Sequence, residues 1–503
     1  MIKTNAVCLR LIAFICLQQV FVAPLIAQDK PLSVEIKWDS VLLVSKTTPT
    51  LQVVENPMVR PSSIIHKNTF KALKDLGADY VRYVPWFPYP KMAVAELKAP
   101  AKTQTFWDFT YLDSTMEAIM TATNGHSPVI NFSTTPAWLW KTDSAVAYPD
   151  NPYEPTWTYN QGTELRDASM KELAGYYSRL FSWYTKGGFK DELGKFHASG
   201  HHYKIAYWEV LNEPDFEHNI SPQLYTKMYD AIAGELKKIS PSTKFIGISV
   251  ANIKNPEYFE YFLNPKNHKP GIPLEGISYH HYSLPSFIGQ SPDGYQYSCF
   301  EKADAFLEKV RYIENIRKRL APQTFTMINE IGTITQAPWI TTPIPNEYWN
   351  LSGAMYAHIY IELAKMKIDV AGESQLVGYP TQFPDVSMVN WETGNPNARL
   401  RVLELLINNF GPGDKLIYTN LLNIPVFEQS TPSVQAFNTK KGKRILLINK
   451  KNKEVLLQLP AGTKGAVAKS VDPDTGEKPA AQFTLTDNSI TLKPFAVVVL
   501  SVN

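Results

Sequence analysis

Short apolar runs alternate with longer amphipathic stretches along most of the chain, and this alternation predicts strands and helices in turn. The clearest runs are short and largely apolar, which is typical of parallel strands buried on both faces. They are residues 80–84, 129–133, 205–211, 245–250, 276–282 and 324–328. A first strand near residues 51–54 and a last one within 370–389 bring the predicted total to eight.

Between the predicted strands, apolar residues recur at helical spacing. In residues 301–320 one stripe holds Ala303, Phe306, Leu307, Val310, Ile313, Ile316 and Leu320. A second stripe holds Met170, Leu173, Tyr177, Leu180, Phe181 and Tyr184. Repeated strand–helix units over about 350 residues favour an α/β fold of the TIM (β/α)8 barrel type over an open sheet. We assign the barrel to residues 61–412.

The last part of the chain follows a different pattern. From Gly413 onward the helical period disappears, and short strands alternate with turn sequences such as residues 473–476. Residues 413–503 are therefore predicted to form an accessory β-sandwich. Residues 28–60 contain strand-like runs that lead into the barrel, and residues 34–38 and 41–44 are candidates to pair with that sandwich.

The N-terminal 27 residues look like a targeting segment. Lys3 and Arg10 precede an apolar run over residues 11–22, and Ala27 is followed by polar residues. This is the pattern of a cleavable signal peptide, so we expect a secreted or periplasmic protein. The alternative is an N-terminal membrane anchor, for which the apolar run is short.

Charge and cysteine content exclude several classes of protein. The 503 residues include 50 Lys+Arg and 47 Asp+Glu, and without the two cations of the signal the balance is 48 − 47 = +1. Such a chain has no long-range field for nucleic acid or for an anionic membrane. Cys8 and Cys16 lie in the signal, which leaves Cys299 alone and excludes an internal disulfide or a thiolate metal cluster.

Two glutamates stand at the ends of predicted strands. Asn212-Glu213-Pro214 closes the fourth strand, and Glu330 follows the seventh. In a TIM barrel these positions face the active site, and a buried carboxylate there costs free energy unless it is paired or hydrogen-bonded. Two carboxylates across a barrel mouth can cleave a glycosidic bond as acid/base and nucleophile. The alternative is that both are structural ion-pair partners.

Five segments of the chain form distinctive motifs: residues 76–82 (LGADYVR), 106–113 (FWDFTYLD), 128–138 (ending TPAW), 208–215 (WEVLNEPD) and 278–282 (SYHHY). These segments resemble those of the retaining glycoside hydrolases of the (β/α)8 clan, which have catalytic glutamates after strands 4 and 7. Within that clan the chain is most similar to glycoside hydrolase family 39, which holds β-xylosidases and α-L-iduronidases.

The resemblance implies a role for each matching residue. Glu213 would be the general acid/base and Glu330 the nucleophile, with their carboxyl groups about 5–5.5 Å apart. Asn212 would bind the sugar 2-hydroxyl, and Arg82 would keep Glu330 ionised. His280 and Tyr282 would line the sugar pocket, whereas His281 should point away by strand alternation.

Aromatic residues follow several predicted strands and could stack on sugar rings. Trp138, in a loop that continues through residues 148–159, and Trp391 are the preferred candidates for the substrate pocket, and Trp86 is a further one. Trp339 and Trp349 bracket another such loop. The alternative is that these rings only pack on neighbouring loops.

These features together predict a secreted retaining exo-glycosidase that acts on an oligo- or polysaccharide without a metal or cofactor. Val84 and Ile331 depart from the family pattern beside the reacting sugar, and no basic clamp for a sugar carboxylate is evident. A neutral sugar, first of all a β-xyloside, is therefore the expected substrate.

Three alternatives remain. The chain could be a glucosidase, galactosidase or arabinosidase of the same clan, or a carbohydrate-binding barrel without activity. A metal-dependent hydrolase is also conceivable because of His201-His202 and His280-His281. Adjacent strand residues face opposite ways, however, and no metal-binding histidine spacing accompanies them.

Overall fold

The computed structural model describes residues 31–144, 146–159, 162–251, 253–283, 292–335, 343–425, 428 and 430–502, with Pro292 and Tyr295 described by backbone alone. The predicted signal peptide and Trp339 lie outside these residues. No helix in the described ranges is both long and apolar enough to cross a membrane.

Strands occur throughout the chain, and they belong to a barrel, a large second sheet and a small hairpin. In chain order they are β1 (Ser33–Val44), β2 (Thr48–Val54), β3 (Arg82–Val84), β4 (Val129–Ile130), β5 (Gly188–Lys190), β6 (Phe196–Ala198), β7 (Tyr207–Glu209), β8 (Phe245–Val250), β9 (Gly276–Ser283), β10 (Phe325–Thr333), β11 (Val370–Glu373), β12 (Lys415–Leu422), β13 (Ser433–Thr439), β14 (Gly442–Ile448), β15 (Val455–Gln458), β16 (Val467–Val471), β17 (Ala481–Thr484), β18 (Ser489–Leu492) and β19 (Val497–Val502).

The α-helices lie between successive barrel strands, except for α9, which follows the last of them. They are α1 (His66–Leu76), α2 (Pro90–Ala93), α3 (Thr110–Ala122), α4 (Lys171–Thr185), α5 (Pro222–Ile239), α6 (Pro256–Phe262), α7 (Pro292–Leu320), α8 (Asn346–Met366) and α9 (Ala398–Asn409). The two predicted apolar stripes fall on α4 and α7. Their residues are buried against the barrel, except for Met170 and Leu320 at the edges of the stripes, which are only partly buried.

The predicted TIM barrel is confirmed. Strands β2, β3, β4, β7, β8, β9, β10 and β11 are parallel and close into one barrel in chain order. The strands are buried on both faces because helices cover the outside, as in β8, where all six residues are buried. The barrel mouth is therefore formed by the loops that follow these strands.

The second sheet contains the remaining long strands and has its own core. Its order is β17-β16-β19-β14-β13-β12-β1-β15-β18. Strands near the two edges of this sheet contribute apolar residues to the same buried cluster. Ala468 of β16, Leu457 of β15 and Ile445 of β14 all belong to it. The sheet therefore curls around a single core, in agreement with the predicted β-rich C-terminal region. Strand β1 runs antiparallel to β12, from Ser33 opposite Leu422 to Val44 opposite Lys415.

One predicted boundary differs at the seventh barrel strand. The sequence pattern ends this strand at Ile328, whereas β10 continues to Thr333. Residues 330–333 are buried and pair with residues 280–283 of β9. Glu330 consequently lies inside a strand, not in the loop after it.

Candidate active site

The floor of the barrel mouth is a buried polar layer centred on Glu209, the last residue of β7. Its side chain is fully buried, and both carboxylate oxygens accept hydrogen bonds from other barrel strands. The donors are Arg82 Nε at 2.5 Å, Asn131 Nδ2 at 2.6 Å, Asn329 Nδ2 at 2.7 Å and the Ser278 hydroxyl. Burial raises the pKa of Glu209, but Arg82 and these hydrogen bonds outweigh it and lower the pKa. Glu209 is thus a structural carboxylate.

Arg82 connects this floor to the reacting groups. One guanidinium nitrogen, Nη1, donates to Glu330 Oε1 at 2.6 Å, and Nη2 donates to Asn212 Oδ1 at 2.6 Å. The other donors contact Glu209, Gln52 and Ser249. All five N–H groups of Arg82 are therefore used, and its charge lies directly against the predicted nucleophile.

A β-bulge places Glu330. The pairing of β10 with β9 slips by one residue between Ile328 and Glu330, so Asn329 is the extra residue. Adjacent strand residues normally face opposite sides, but here both Asn329 and Glu330 contact interior groups, Glu209 and Arg82. Bulges are common next to active sites because they redirect side chains in this way.

Glu213 lies on a tight turn after β7. Leu211 and Glu213 have φ values of 60° and 41°, a left-handed conformation that is strained for residues other than glycine. The Glu213 amide donates to Ser249 O at 2.8 Å, which anchors the turn to β8. The turn aims the Glu213 carboxylate at His280, whose Nδ1 lies 2.7 Å from Oε1.

His280 stands between the two glutamates. Its Nδ1 is also 3.5 Å from Glu330 Oε2, and one oxygen from each carboxylate and a ring nitrogen of His280 all lie within 4.8 Å of one another. One oxygen of Glu213 and one of Glu330 therefore face a common space beside His280.

The electrostatic environments of these groups differ. Burial raises the pKa of Glu213, and the charge of Glu330 adds to this, although His280 opposes it. Burial would lower the pKa of His280, but the charges of Glu330 and Glu213 outweigh it and raise the pKa. Glu213 therefore tends to hold its proton, whereas Glu330 is paired with a permanent cation.

Tyr282 completes the surroundings of Glu330. Its hydroxyl lies 2.7 Å from Glu330 Oε2 and 2.6 Å from Ser374 Oγ, at the end of the eighth barrel strand. Burial raises the pKa of Tyr282 well above its usual range, so the hydroxyl stays protonated and can donate to the carboxylate. His281 faces the other side of β9, as predicted, and stacks on Phe306 with ring centroids 4.1 Å apart.

We predict that His280→Gln moves the alkaline limb of the pH–activity profile to higher pH. A positively charged His280 lowers the pKa of Glu213, so its removal raises that pKa and lets Glu213 keep its proton further into the alkaline range. The measurement is kcat/KM against pH. His281→Gln is the matched control, because burial lowers the pKa of His281 to about 3 and the ring lies outside the site. Equal shifts in both variants would contradict this arrangement.

Two predicted sugar-binding residues lie outside the cluster. Trp138 donates its indole N–H to Glu96 O at 2.8 Å, and the Arg166 guanidinium covers its ring at 4.7 Å. Trp391 lines a cavity of about 870 Å³ between the loops after β10 and β11 and the second sheet, together with Trp349. None of the catalytic candidates lines that cavity. Among the described residues, neither tryptophan makes a hydrogen bond or a ring contact with the catalytic candidates.

Aromatic rings from three loops instead meet beside Asn212. Trp86 and Phe87 follow β3, Trp157 belongs to the loop after β4, and Phe383 belongs to the loop after β11. Neighbouring centroids are 5.1 to 6.3 Å apart, and each ring keeps part of its surface exposed. We call these four residues the aromatic wall. Phe383 has a left-handed φ of 46°, a strained conformation that is most common at ligand sites.

Sequence reasoning missed several residues of the network. Glu209 and Glu217 flank the Asn-Glu-Pro motif at four residues on either side of Glu213, and that proximity was the only available signal. Gln52, Ser249 and Ser374 carry no signal in the sequence, because single polar residues within or next to strands are common. Their roles depend on contacts between distant strands.

Glu213, His280 and Glu330 also present atoms close enough together to ligate a cation. Their hydrogen-bonding capacity is largely used, since His280 contacts Glu213, and Arg82 and Tyr282 donate to the two oxygens of Glu330. Arg82 already supplies the positive charge that a metal ion would bring. The donor set therefore fits acid/base chemistry by the side chains themselves.

Comparisons with known proteins show the fold. Neither a protein-family model nor a curated protein sequence matches the chain. A GH51 arabinofuranosidase from Xanthomonas axonopodis pv. citri matches with a TM-score of 0.63 at 13% identity, over 94% of this chain and 100% of that one. A monomeric β-xylosidase from Caulobacter crescentus CB15 matches with a TM-score of 0.59 at 14% identity, over 93% of this chain and 98% of that one. A GH30 endoxylanase from Clostridium papyrosolvens C71 matches with a TM-score of 0.54 at 13% identity, over 94% of this chain and 100% of that one. The chain thus has the barrel-plus-β-domain fold of these glycoside hydrolases.

Proposed function

We propose that this protein is a retaining glycosidase. The observation that carries the proposal is the Glu213–His280–Glu330 cluster, in which two carboxylates approach within 4.8 Å in unlike environments. Glu213 has a raised pKa, whereas Glu330 contacts the guanidinium of Arg82. A protonated acid opposite an ionised carboxylate is the pair that double displacement requires.

The proposed reaction has two steps. Glu330 attacks the anomeric carbon while Glu213 transfers its proton to the departing oxygen, which forms a glycosyl ester on Glu330. Glu213, now a carboxylate, then removes a proton from water, which attacks the anomeric carbon and releases Glu330. His280 lies near both carboxylates and balances their changing charge. Asn212 is the proposed partner of the sugar 2-hydroxyl.

A neutral sugar at a chain end is the proposed substrate, with a β-xyloside as first choice. Arg82 is the only lysine or arginine in the described hydrogen-bond network around the two glutamates, and all its donors are used within the protein. No donor of Arg82 is left to bind a sugar carboxylate. Since an arabinofuranosidase and a β-xylosidase share this fold, α-L-arabinosides are the second choice.

The deciding experiment is hydrolysis of aryl glycosides by the full-length protein. The panel contains the β-xyloside, β-glucoside, β-galactoside and α-L-arabinosides, with the anomer of the first product followed by NMR. Turnover with retained configuration supports the proposal. Inverted product, or binding of a glycan with no turnover at any sugar, would replace it with an inverting enzyme or a carbohydrate-binding barrel.

We further propose that residues 1–27 direct secretion and are removed near Ala27. N-terminal sequencing of the protein recovered from the periplasm or medium tests this. A chain that stays membrane-bound with Met1 or Lys3 intact would instead indicate an anchor.

We predict that Trp157→Ala weakens the binding of the sugar more than it slows the chemistry. Its half-buried ring belongs to the aromatic wall but makes no described hydrogen bond to the catalytic network. Losing one stacking face removes about 1 kcal/mol of binding free energy, so KM should rise by roughly 5- to 10-fold with a small change in kcat. Trp38→Ala, a half-buried tryptophan of β1 in the second sheet, is the control. An unchanged KM in Trp157→Ala would remove the wall from the substrate site.

A further inference from the structure

Glu217 connects the catalytic network to the aromatic wall. Its Oε1 accepts a hydrogen bond from Asn212 Nδ2 at 2.8 Å and a second from Trp86 Nε1 at 2.7 Å. The amide oxygen of Asn212 accepts in turn from Arg82, which donates to Glu330. An unbroken chain of hydrogen bonds therefore runs from the predicted nucleophile to the indole of Trp86.

The surroundings of the other oxygen, Oε2, indicate that the Glu217 side chain is protonated. Oε2 is buried and has no hydrogen-bond partner among the described residues. A buried carboxylate oxygen that carries charge without a donor is costly, whereas a carboxylic acid would place its proton there. Oε1, with two donors, then behaves as the carbonyl oxygen. In agreement, burial and the nearby charge of Glu213 raise the pKa of Glu217 well above its usual range.

We propose that Glu217 is a positioning residue, which acts as a neutral acid and orients both the Asn212 amide and the Trp86 indole through Oε1. This inference rests on the proposed function, because it assigns Asn212 to the sugar 2-hydroxyl. With Glu217 in place, the Asn212 amide cannot flip, since its oxygen faces Arg82 and its nitrogen faces Glu217. The remaining N–H of Asn212 is then held for the substrate.

Neutrality is part of the role. Glu217 lies close enough to Glu213 and Glu330 for their charges to raise its pKa. A third carboxylate charge here would make Glu213 a weaker acid and so slow its proton transfer to the departing oxygen in the first step. A neutral acid provides the same acceptor without that charge.

The test compares two variants of the full chain. Glu217→Gln keeps an acceptor at Oε1 and places a neutral NH2 at the position of Oε2, so kcat/KM should stay within about threefold of wild type. Glu217→Leu has a similar volume but no acceptor, and should lose roughly 10- to 100-fold, mostly in kcat. A glutamine variant as impaired as the leucine variant would overturn the proposal.

Two further readouts separate positioning from a general structural effect. The loss in Glu217→Leu should largely vanish on the 2-deoxy glycoside and should not add to that of Asn212→Ala, because both remove one contact. The alkaline limb of the pH profile should be unchanged in Glu217→Gln. A shift to lower pH would show that the wild-type residue is charged, since removing a nearby negative charge lowers the pKa of Glu213.

An activity-independent measurement keeps the inference distinct from the proposed function. The indole N–H resonance of Trp86 in nitrogen-15-labelled protein should be alike in wild type and Glu217→Gln and altered, with faster hydrogen exchange, in Glu217→Leu. A protein that hydrolyses none of the glycosides would defeat the proposed function. An unaltered Trp86 resonance in Glu217→Leu would defeat the present inference, whether or not the protein is active.

Discussion

Glu330→Ala is expected to lose at least about 10⁴-fold in kcat on whichever aryl glycoside the wild type hydrolyses. The reason is that in the proposed mechanism the glycosyl ester forms on Glu330, which the bulge at Asn329 and the guanidinium of Arg82 hold in place. Sodium azide should restore part of the turnover of Glu330→Ala, because the small anion fits the space of the lost carboxylate. The product should be a glycosyl azide of inverted configuration.

The control for this prediction is Glu392→Ala. Glu392 is an exposed glutamate in the loop after β11, and its loss should leave kcat near the wild-type value. Circular dichroism should show that both variants are folded. Residual hydrolysis above about one hundredth of wild type in Glu330→Ala, without added azide, would mean that another group is the nucleophile.

Arg82→Met is expected to cause the largest loss of stability, about 3–5 kcal/mol in the free energy of unfolding at pH 7. Arg82 and Glu209 are both fully buried, with Nε 2.5 Å from Oε2. Methionine fills much of the volume but leaves the Glu209 carboxylate buried with no opposing charge. Urea unfolding at pH 7 measures the loss. Arg166→Met, which breaks an exposed ion pair with Glu172, should cost no more than about 1 kcal/mol.

The stability loss should depend on pH in a defined direction. In wild type the pKa of Glu209 is lowered in the folded state, so the stability it contributes is present above its unfolded pKa and declines as pH falls. In Arg82→Met burial raises that pKa, and the folded variant gains stability as pH falls because protonation removes the buried charge. The gap between wild type and variant should therefore narrow from pH 7 toward pH 5. A constant gap would show that lost packing, not the unpaired charge, dominates.

Both predictions depend on one buried network, and only part of it was accessible from the sequence. The apolar runs predicted all eight barrel strands. The motifs placed Glu213 at the C-terminal end of the fourth strand and Glu330 at the C-terminal end of the seventh. Such predictions succeed because strand and helix periods are local properties of the chain. The assignment of Arg82, His280 and Tyr282 to the neighbourhood of the glutamates came from the family resemblance, and the structure brings all three to them.

Local sequence patterns did not predict which aromatic residues lie together at the barrel mouth. Trp138 and Trp391 were the preferred sugar-binding residues, yet the structure places Trp86, Trp157 and Phe383 together beside Asn212. All five follow barrel strands, so strand position alone does not distinguish them. Which loop folds over the mouth depends on contacts between loops that are far apart in sequence.

The sequence by itself determined the fold class, the order of the barrel strands and the positions of the two glutamates, because these follow from periodicity and short motifs. The tertiary structure decided the rest: the bulge that turns Glu330 inward, the burial of Glu209 beneath Arg82, and the link from Asn212 through Glu217 to Trp86. Each of these includes a register or a contact between segments tens to hundreds of residues apart, such as the contact of Trp86 with Glu217. Only closure of the barrel brings such segments together, so no local pattern in the chain could specify them.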